Sequence, residues 1–285
     1  VPRPAESAPA KINLFLHVGE KRPDGFHGLE SLVVFARAGD VLTFEESGAL
    51  SLVLEGPFAK GLETESDNLV LRAARALGER TGRAPAARIT LTKNLPVSSG
   101  IGGGSADCAA ALRGLVQLWG AKTGQRDLHA IAESLGSDVP VCLVAKTSWM
   151  EGRGERVTPA PSFAPLAAVL VNPGVAVPTG PVFAALKSRS GVDHAKPAGW
   201  SSQEELIAYL KSTRNDLEAP ARELAPEISD VLYSLAACEG IRLARMSGSG
   251  ATCFGLFTNA STAESAAGKL KKAYPSWWVM PTLLG

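Results

Sequence analysis

Residues 87–118 read ARITLTKNLPVSSGIGGGSADCAAALRGLVQL, and the order of patterns inside this stretch decides the fold. From Ala87 to Lys93 apolar and polar residues alternate with the period of a β-strand. From Ser105 to about Leu118 an Ala-rich run predicts a helix. Between them lie Gly100, Gly102, Gly103 and Gly104. Strand, glycine loop and helix in this order bring unhindered backbone N–H groups and a helix N-terminus to one place, which is how a chain cradles a phosphate. Missing Cβ atoms let anion oxygens approach the main chain, and Ser98, Ser99 and Ser105 add hydroxyls. The loop is not a Walker A, because GxxxxGK[ST] is absent. Nor is it GxGxxG, because Ser105 and Asp107 stand where a third glycine is needed. HRD, DFG, HExxH and GxSxG are absent as well.

Working outward, Lys11–Gly19 (KINLFLHVG) alternates Ile12, Leu14, Leu16 and Val18 with other residues and predicts one strand. KRPDG (21–25) predicts a turn, and LESLVVFA and DVLTFEE predict two further strands, followed by SLVLE (51–55). Ser66 or Asp67 is expected to cap a helix that runs to Arg80 and stops at Gly82. A helix over 127–135 ends at Gly136 and leads into SDVPV. Around Glu151–Val157 the pattern breaks, which places a domain boundary there. Beyond it, a strand is expected over 168–172 and helices near 181–188, 204–211 and 227–238. Two strands flank the glycine turn of MSGSGATCF, and a helix over 262–274 and a strand near 277–280 close the sequence. Strands and helices do not alternate strictly, so the class is α+β with mostly antiparallel sheets.

The chain has 285 residues, room for two domains with a core each. Lys and Arg number 29 and Asp and Glu 28, so no large positive field exists to collect nucleic acid or an anionic membrane. No apolar run approaches the roughly 18 residues that span a bilayer, and VPRPAESAPA lacks the apolar core of a secretory signal. Cys108, Cys142, Cys238 and Cys253 show neither CxxC nor metal-ligand spacing and read as buried thiols of a cytoplasmic protein. If the loop holds a nucleoside triphosphate, phosphoryl transfer further needs a proton acceptor and a cation near the developing charge. Asp138, after a helix stop, and Lys11, at a strand start, are the candidates; the plainer readings are a helix cap and a solvated charge.

PAKINLFLHVGEKRPDGFHGLES, SDNLV, LPVSSGIGGGSADCAAAL, LGSDVPV, NPGVAVPTGPVF, RNDLE and MSGSGATCFGLF occur in this order. Together they resemble the superfamily of galactokinase, homoserine kinase, mevalonate kinase and phosphomevalonate kinase. Within it they are most similar to the branch that phosphorylates cytidine diphosphate-methylerythritol in the non-mevalonate isoprenoid pathway. The resemblance covers nearly the whole chain and is weakest between about Lys187 and Ser212.

It implies an N-terminal domain like the second domain of ribosomal protein S5 (1–155) and a ferredoxin-like C-terminal domain (156–285), with the active site in the cleft between them. It implies ATP and Mg²⁺, a small-molecule acceptor and a cytoplasmic location. By the same resemblance Asp138 is the base and Lys11 its partner, with Asn13 on the polyol. Pro96, Val97, Ser98, Ser99, Gly100, Ile101, Gly102, Gly103, Gly104, Ser105 and Ala106 wrap the ATP phosphates, and Asn68 and Lys93 lie near the nucleoside. Phe26 and Phe183 sandwich the cytosine, His27 reads its edge and Thr179 joins the substrate site. An aromatic face and an imidazole suit those tasks. Members often carry Tyr where Phe26 stands and a hydroxyl residue where Ala106 stands, which leaves Ser105 as the candidate Mg²⁺ hydroxyl. The Gly248–Gly250 turn is expected to face the site from the other domain. Rival readings are another small-molecule kinase of the superfamily and a nucleotide-binding protein without turnover; the base-binding set argues against the first, Lys11 and Asp138 against the second.

Overall fold

The computed structural model describes residues 4–23, 25–60, 62 and 67–285. In chain order its elements are β1 (Ala5–Asn13), β2 (His17–Lys21), β3 (His27–Glu45), β4 (Ser51–Glu55), α1 (Leu69–Thr81), β5 (Arg88–Thr92), α2 (Gly103–Trp119), α3 (Gln125–Leu135), α4 (Val139–Val144), β6 (Ser148–Gly152) and β7 (Arg156–Pro159). There follow β8 (Leu166–Asn172), α5 (Thr179–Ala184), α6 (Gln203–Ser212), α7 (Glu218–Leu224), α8 (Glu227–Ala236), β9 (Ile241–Met246), β10 (Cys253–Phe257), α9 (Ala260–Ala273) and β11 (Trp278–Leu284). Contacts group the chain into two compact units. One holds residues 1–10, 39–97 and 102–145, the other 11–38, 98–101 and 146–285.

In the first unit β5 lies between β4, to which it is parallel, and residues 41–45 of β3, to which it is antiparallel. Helices α1 to α4 pack among themselves. Gly114 sits inside α2, where glycine costs helix stability. A Cβ there would lie 2.1 Å from the Phe44 ring, so the glycine exists to let the helix approach the strand. Leu69, Ala73, Ala76 and Leu77 do fall on a helix, and Gly82 ends it in the left-handed region at φ 64°. Its cap is Asn68, whose side chain accepts from Val70 N–H; Asp67 precedes it, and Ser66 lies outside the described residues.

In the second unit residues 29–33 of β3 pair with β6, and β6 with β7, so residues 153–155 form a hairpin turn. A further antiparallel set runs β11, β8, β10, β9, with β8 buried along its whole length. Helices α8 and α9 contact this set, and Ile228, Val231 and Leu235 pack with Val169, Val171 and Phe257 in its core.

Several expectations need correction. The strand expected at 11–19 is two, interrupted at 14–16, and residues 10–19 are all buried rather than alternately so. The two strands expected over 29–46 are one, β3. Gly39 does not turn the chain: a Cβ there would meet the Ala8 carbonyl oxygen at 2.6 Å, so it permits a close backbone approach. α2 begins two residues early, inside the glycine run, and α7 was not anticipated. β11 extends to Leu284 through Pro281, whose missing N–H is tolerated because β11 meets β3 only at Leu284. No helix among the described residues is long and apolar enough to cross a membrane.

Candidate active site

The glycine loop leaves β5 through Lys93 and re-enters regular structure at α2. Gly102, at φ 64°, is the helix N-cap and supplies no side-chain acceptor. The first-turn N–H groups are therefore not spent on a side-chain cap. Gly103 and Ser105 are half-buried and Gly104 is exposed, so these amides and the Ser105 hydroxyl line an accessible surface. Ala106 is only 1% exposed, so the methyl there fills the interior and a hydroxyl is not missed at the surface. Val97 and Ser98 are exposed, whereas Pro96, Ser99 and Ile101 are buried. Ser98 holds φ 51°, a left-handed conformation that costs a non-glycine residue energy and occurs where the chain needs a sharp redirection.

Behind the loop lies a buried charge cluster. Lys93 Nζ donates to Asp40 and, at 2.7 Å, to Asp107 Oδ2. The other oxygen of Asp40 accepts from the N–H groups of Asn94 (2.6 Å) and Leu95 (2.9 Å). Asp40 thus grips the entry of the loop and Asp107 ties its helical exit to the same lysine. Burial opposes the charge on Lys93, but the two carboxylates outweigh it and raise its pKa. Burial raises the pKa of Asp107, with Asp40 adding to it and Lys93 opposing. The ammonium group expected near the nucleoside is consumed here, and Asn68 spends its Oδ1 on capping α1.

In the second unit, the Lys11 N–H donates to Ile101 C=O at 2.8 Å. Lys11 is 3% exposed, so it is not the solvated charge that a lone strand-edge lysine usually is. Two residues on, Asn13 donates through Nδ2 to Ser31 Oγ, while its buried Oδ1 finds no partner among the described residues. A buried carbonyl oxygen left this way is costly, and a donor from a substrate would relieve it. Asp138 belongs to the first unit. It holds the N-cap position of α4, is half-buried, and makes no capping hydrogen bond, so its carboxylate is not serving as a helix cap.

His27 and Phe183 come together, ring centroids 5.6 Å apart and 20° from parallel. His27 Nδ1 lies 3.1 Å from Gly19 O; donating there, it leaves Nε2 as acceptor when the ring is neutral. Phe26, 48% exposed, lies instead under the Arg153 guanidinium, 5.4 Å from its centroid. The Thr179 hydroxyl is 2.9 Å from that of Ser249. The Gly248–Gly250 turn packs directly on residues 98–101, with Thr252 N–H donating to Ser99 O at 3.0 Å. All four cysteines are thiols, and burial pushes Cys108, in α2, up to about 12, which makes it a poor nucleophile. No group of three or more His, Cys, Asp or Glu among the described residues is placed to hold a metal ion.

Two family models match: the GHMP kinases N terminal domain over residues 68–146 and the GHMP kinases C terminal domain over 185–276. The chain is 52% identical to the 4-diphosphocytidyl-2-C-methyl-D-erythritol kinase of Cereibacter sphaeroides, with 96% of each chain covered. It is 50% identical to that of Parvibaculum lavamentivorans, with 98% of each covered. The chain belongs to the 4-diphosphocytidyl-2-C-methyl-D-erythritol kinase family of GHMP kinases. A crystal structure of a 4-(cytidine 5'-diphospho)-2C-methyl-D-erythritol kinase superposes with TM-score 0.77 at 35% identity, covering 99% of both chains. A homoserine kinase from Cytophaga hutchinsonii, 20% identical with TM-score 0.68 over 98% of this chain and 93% of its own, shares the fold. The two-domain GHMP kinase fold and the use of ATP follow for this kinase. Sequence reasoning missed Asp40 and Asp107 because neither sits in a spacing pattern with Lys93, and it quoted RNDLE without finding its task.

Proposed function

We propose that this kinase transfers the γ-phosphoryl group of ATP to the 2-hydroxyl of 4-diphosphocytidyl-2-C-methyl-D-erythritol, in the methylerythritol phosphate route to isoprenoids. The observation that carries this reading is half-identity, over nearly full length, with kinases of that name. Asp138 accepts the proton of the 2-hydroxyl as its oxygen bonds to the γ-phosphorus; the bond to the β–γ bridging oxygen breaks, and ADP leaves. Lys11 offsets the negative charge that develops, and its burial strengthens that effect. The Asn13 Oδ1 acceptor is suited to a polyol hydroxyl.

Residues 96–106 receive the triphosphate, with the amides of Gly103, Gly104 and Ser105 as donors. Asn68 lies toward the nucleoside, and any part Lys93 has there runs through its backbone. Among the described residues no group of three or more His, Cys, Asp or Glu is placed to hold Mg²⁺, and Ser105 is the hydroxyl that would hold it beside the triphosphate. Bound there, it would neutralise charge on the phosphoryl oxygens. Phe183 and Phe26 give the cytosine its stacking faces, His27 Nε2 accepts from the base's amino group, and Thr179 completes the substrate site. One feature supports this arrangement: the rings of His27 and Phe183 lie together, 5.6 Å between centroids and 20° from parallel. The ATP-binding domain is read within residues 1–155 and the second domain within 156–285, although by contacts residues 11–38, 98–101 and 146–155 group with the second unit and the β6–β7 hairpin crosses that boundary. The kinase acts in the cytoplasm.

The test is ADP release from Mg·ATP with the cytidyl acceptor, and with mevalonate and homoserine as controls. Release with the cytidyl acceptor alone is expected. Release only with a control would discard the base pocket.

A further inference from the structure

The RNDLE segment, Arg214–Glu218, has been given no role above, yet its Asn215 is 5% exposed and its side chain is fully engaged. Asn215 Nδ2 donates to Met246 O and to Gly248 O, each at 2.8 Å. Its Oδ1 accepts from Leu217 N–H at 3.0 Å and so opens α7. The segment is itself fixed to the chain after β1: Leu16 N–H donates to Arg214 O and Asp216 N–H to Leu16 O. Next to it, Glu218 Oε2 accepts from Met246 N–H at 2.9 Å.

What Asn215 holds is the turn from Ser247 to Gly250. Ser247 Oγ accepts from Asn13 N–H at 3.1 Å and lies 3.3 Å from Gly100 O, to which it donates. Ser249 meets the Thr179 hydroxyl. The fit has no slack: a Cβ on Gly100 would come within 2.7 Å of Gly250 and Ser247 backbone atoms, and one on Gly248 within 2.5 Å of Gly100 O. The turn therefore touches the strand that carries Asn13, the phosphate loop at 98–101, and Thr179. Only a primary amide offers two donors and an acceptor without a charge, and Gln would overshoot by one methylene.

We infer that Asn215 is a positioning residue for phosphoryl transfer. Its amide sets the 247–250 turn, and the turn sets the phosphate loop against the acceptor-binding residues. The inference rests on the reading of those residues given above. Displacing reactants by about 1 Å from their productive geometry costs on the order of a hundredfold in rate.

The test compares Asn215→Ala, and Asn215→Asp, which keeps the shape and the Leu217 contact but lacks the donors, with wild type and with Leu235→Ala, a lesion in the core where Leu235 packs beside Gly255 of β10. Each is followed by kcat, by KM for both substrates, by Tm, and by amide exchange of Gly250 and Thr252. Expected for both Asn215 variants is a 10- to 100-fold loss of kcat below Tm, KM values within threefold, and at least tenfold faster exchange at the two amides. Leu235→Ala should lower Tm and keep kcat. A kcat within threefold of wild type, or the same kcat loss in Leu235→Ala at equal loss of Tm, would overturn the inference. If Asn215→Ala does not fold, Asn215→Asp decides. A wild type inactive toward the cytidyl acceptor would instead defeat the assigned function, and the exchange rates would then decide whether Asn215 holds the turn.

Discussion

Replacing Lys93 by Met removes the ammonium that lies between two carboxylates whose side chains are 0% and 5% exposed. Asp107, its pKa already raised by burial, takes up a proton when the lysine goes. Asp40 keeps the N–H donors of Asn94 and Leu95 but loses its ammonium partner inside the protein. Breaking a buried pair from one side costs about 3–5 kcal/mol. At about 2 °C per kcal/mol for a chain this long, Tm falls by about 6–10 °C. Asp107→Asn keeps the shape and removes a carboxylate that burial already disfavours, so it should cost about 1 kcal/mol or less. Lys93→Met also releases the entry of the glycine loop, so the KM for ATP should rise several-fold. Thermal unfolding by circular dichroism and ATP titration read both effects. A Tm within about 1 °C of wild type in Lys93→Met, or a larger loss in Asp107→Asn, would refute the clamp.

Four further outcomes are expected. Asp138→Asn should keep ATP binding and lose about two to four orders of magnitude in turnover, the scale of general-base catalysis. Lys11→Met should also lower turnover more than ATP affinity, whereas loss of ATP binding alone would place it at the nucleotide. Phe183→Ala should raise the acceptor KM by roughly 1–3 kcal/mol of lost stacking, with Phe26→Ala acting in the same direction, and an unchanged KM would remove the base from that pair. His17 is held near a pKa of about 4, first by burial, with His194, Arg214 and Arg245 adding and Asp216 opposing. Its unfolded form takes a proton near 6.5, so the unfolded chain binds more protons between about 4 and 6.5, and stability falls as pH falls through that window. The loss is on the order of 3 kcal/mol, and chemical denaturation of His17→Gln across it should show a flatter profile.

The glycine loop was legible because its signal is local: alternation, then glycines, then an Ala-rich run, all within 87–118. The helix stops at Gly82 and Gly136 were legible for the same reason. Residues that act through distant partners were not. Lys93 meets Asp40 across 53 positions, and Asn215 meets Met246 across 31, so no spacing announces either. Pro220 sits in the first turn of α7, where a missing N–H costs nothing, and Gly39 serves a close approach inside a continuous strand. At the candidate base pocket, sequence supplied His27 and Phe183 but not the fact that their rings meet.

The most direct measurement of the central claim is ³¹P NMR of the product formed from Mg·ATP and 4-diphosphocytidyl-2-C-methyl-D-erythritol. The account predicts one new phosphate monoester on the 2-oxygen, the diphosphate bridge intact, and one ADP for each ester formed. Phosphate appearing as inorganic ion, or as an ester at another hydroxyl, would contradict it.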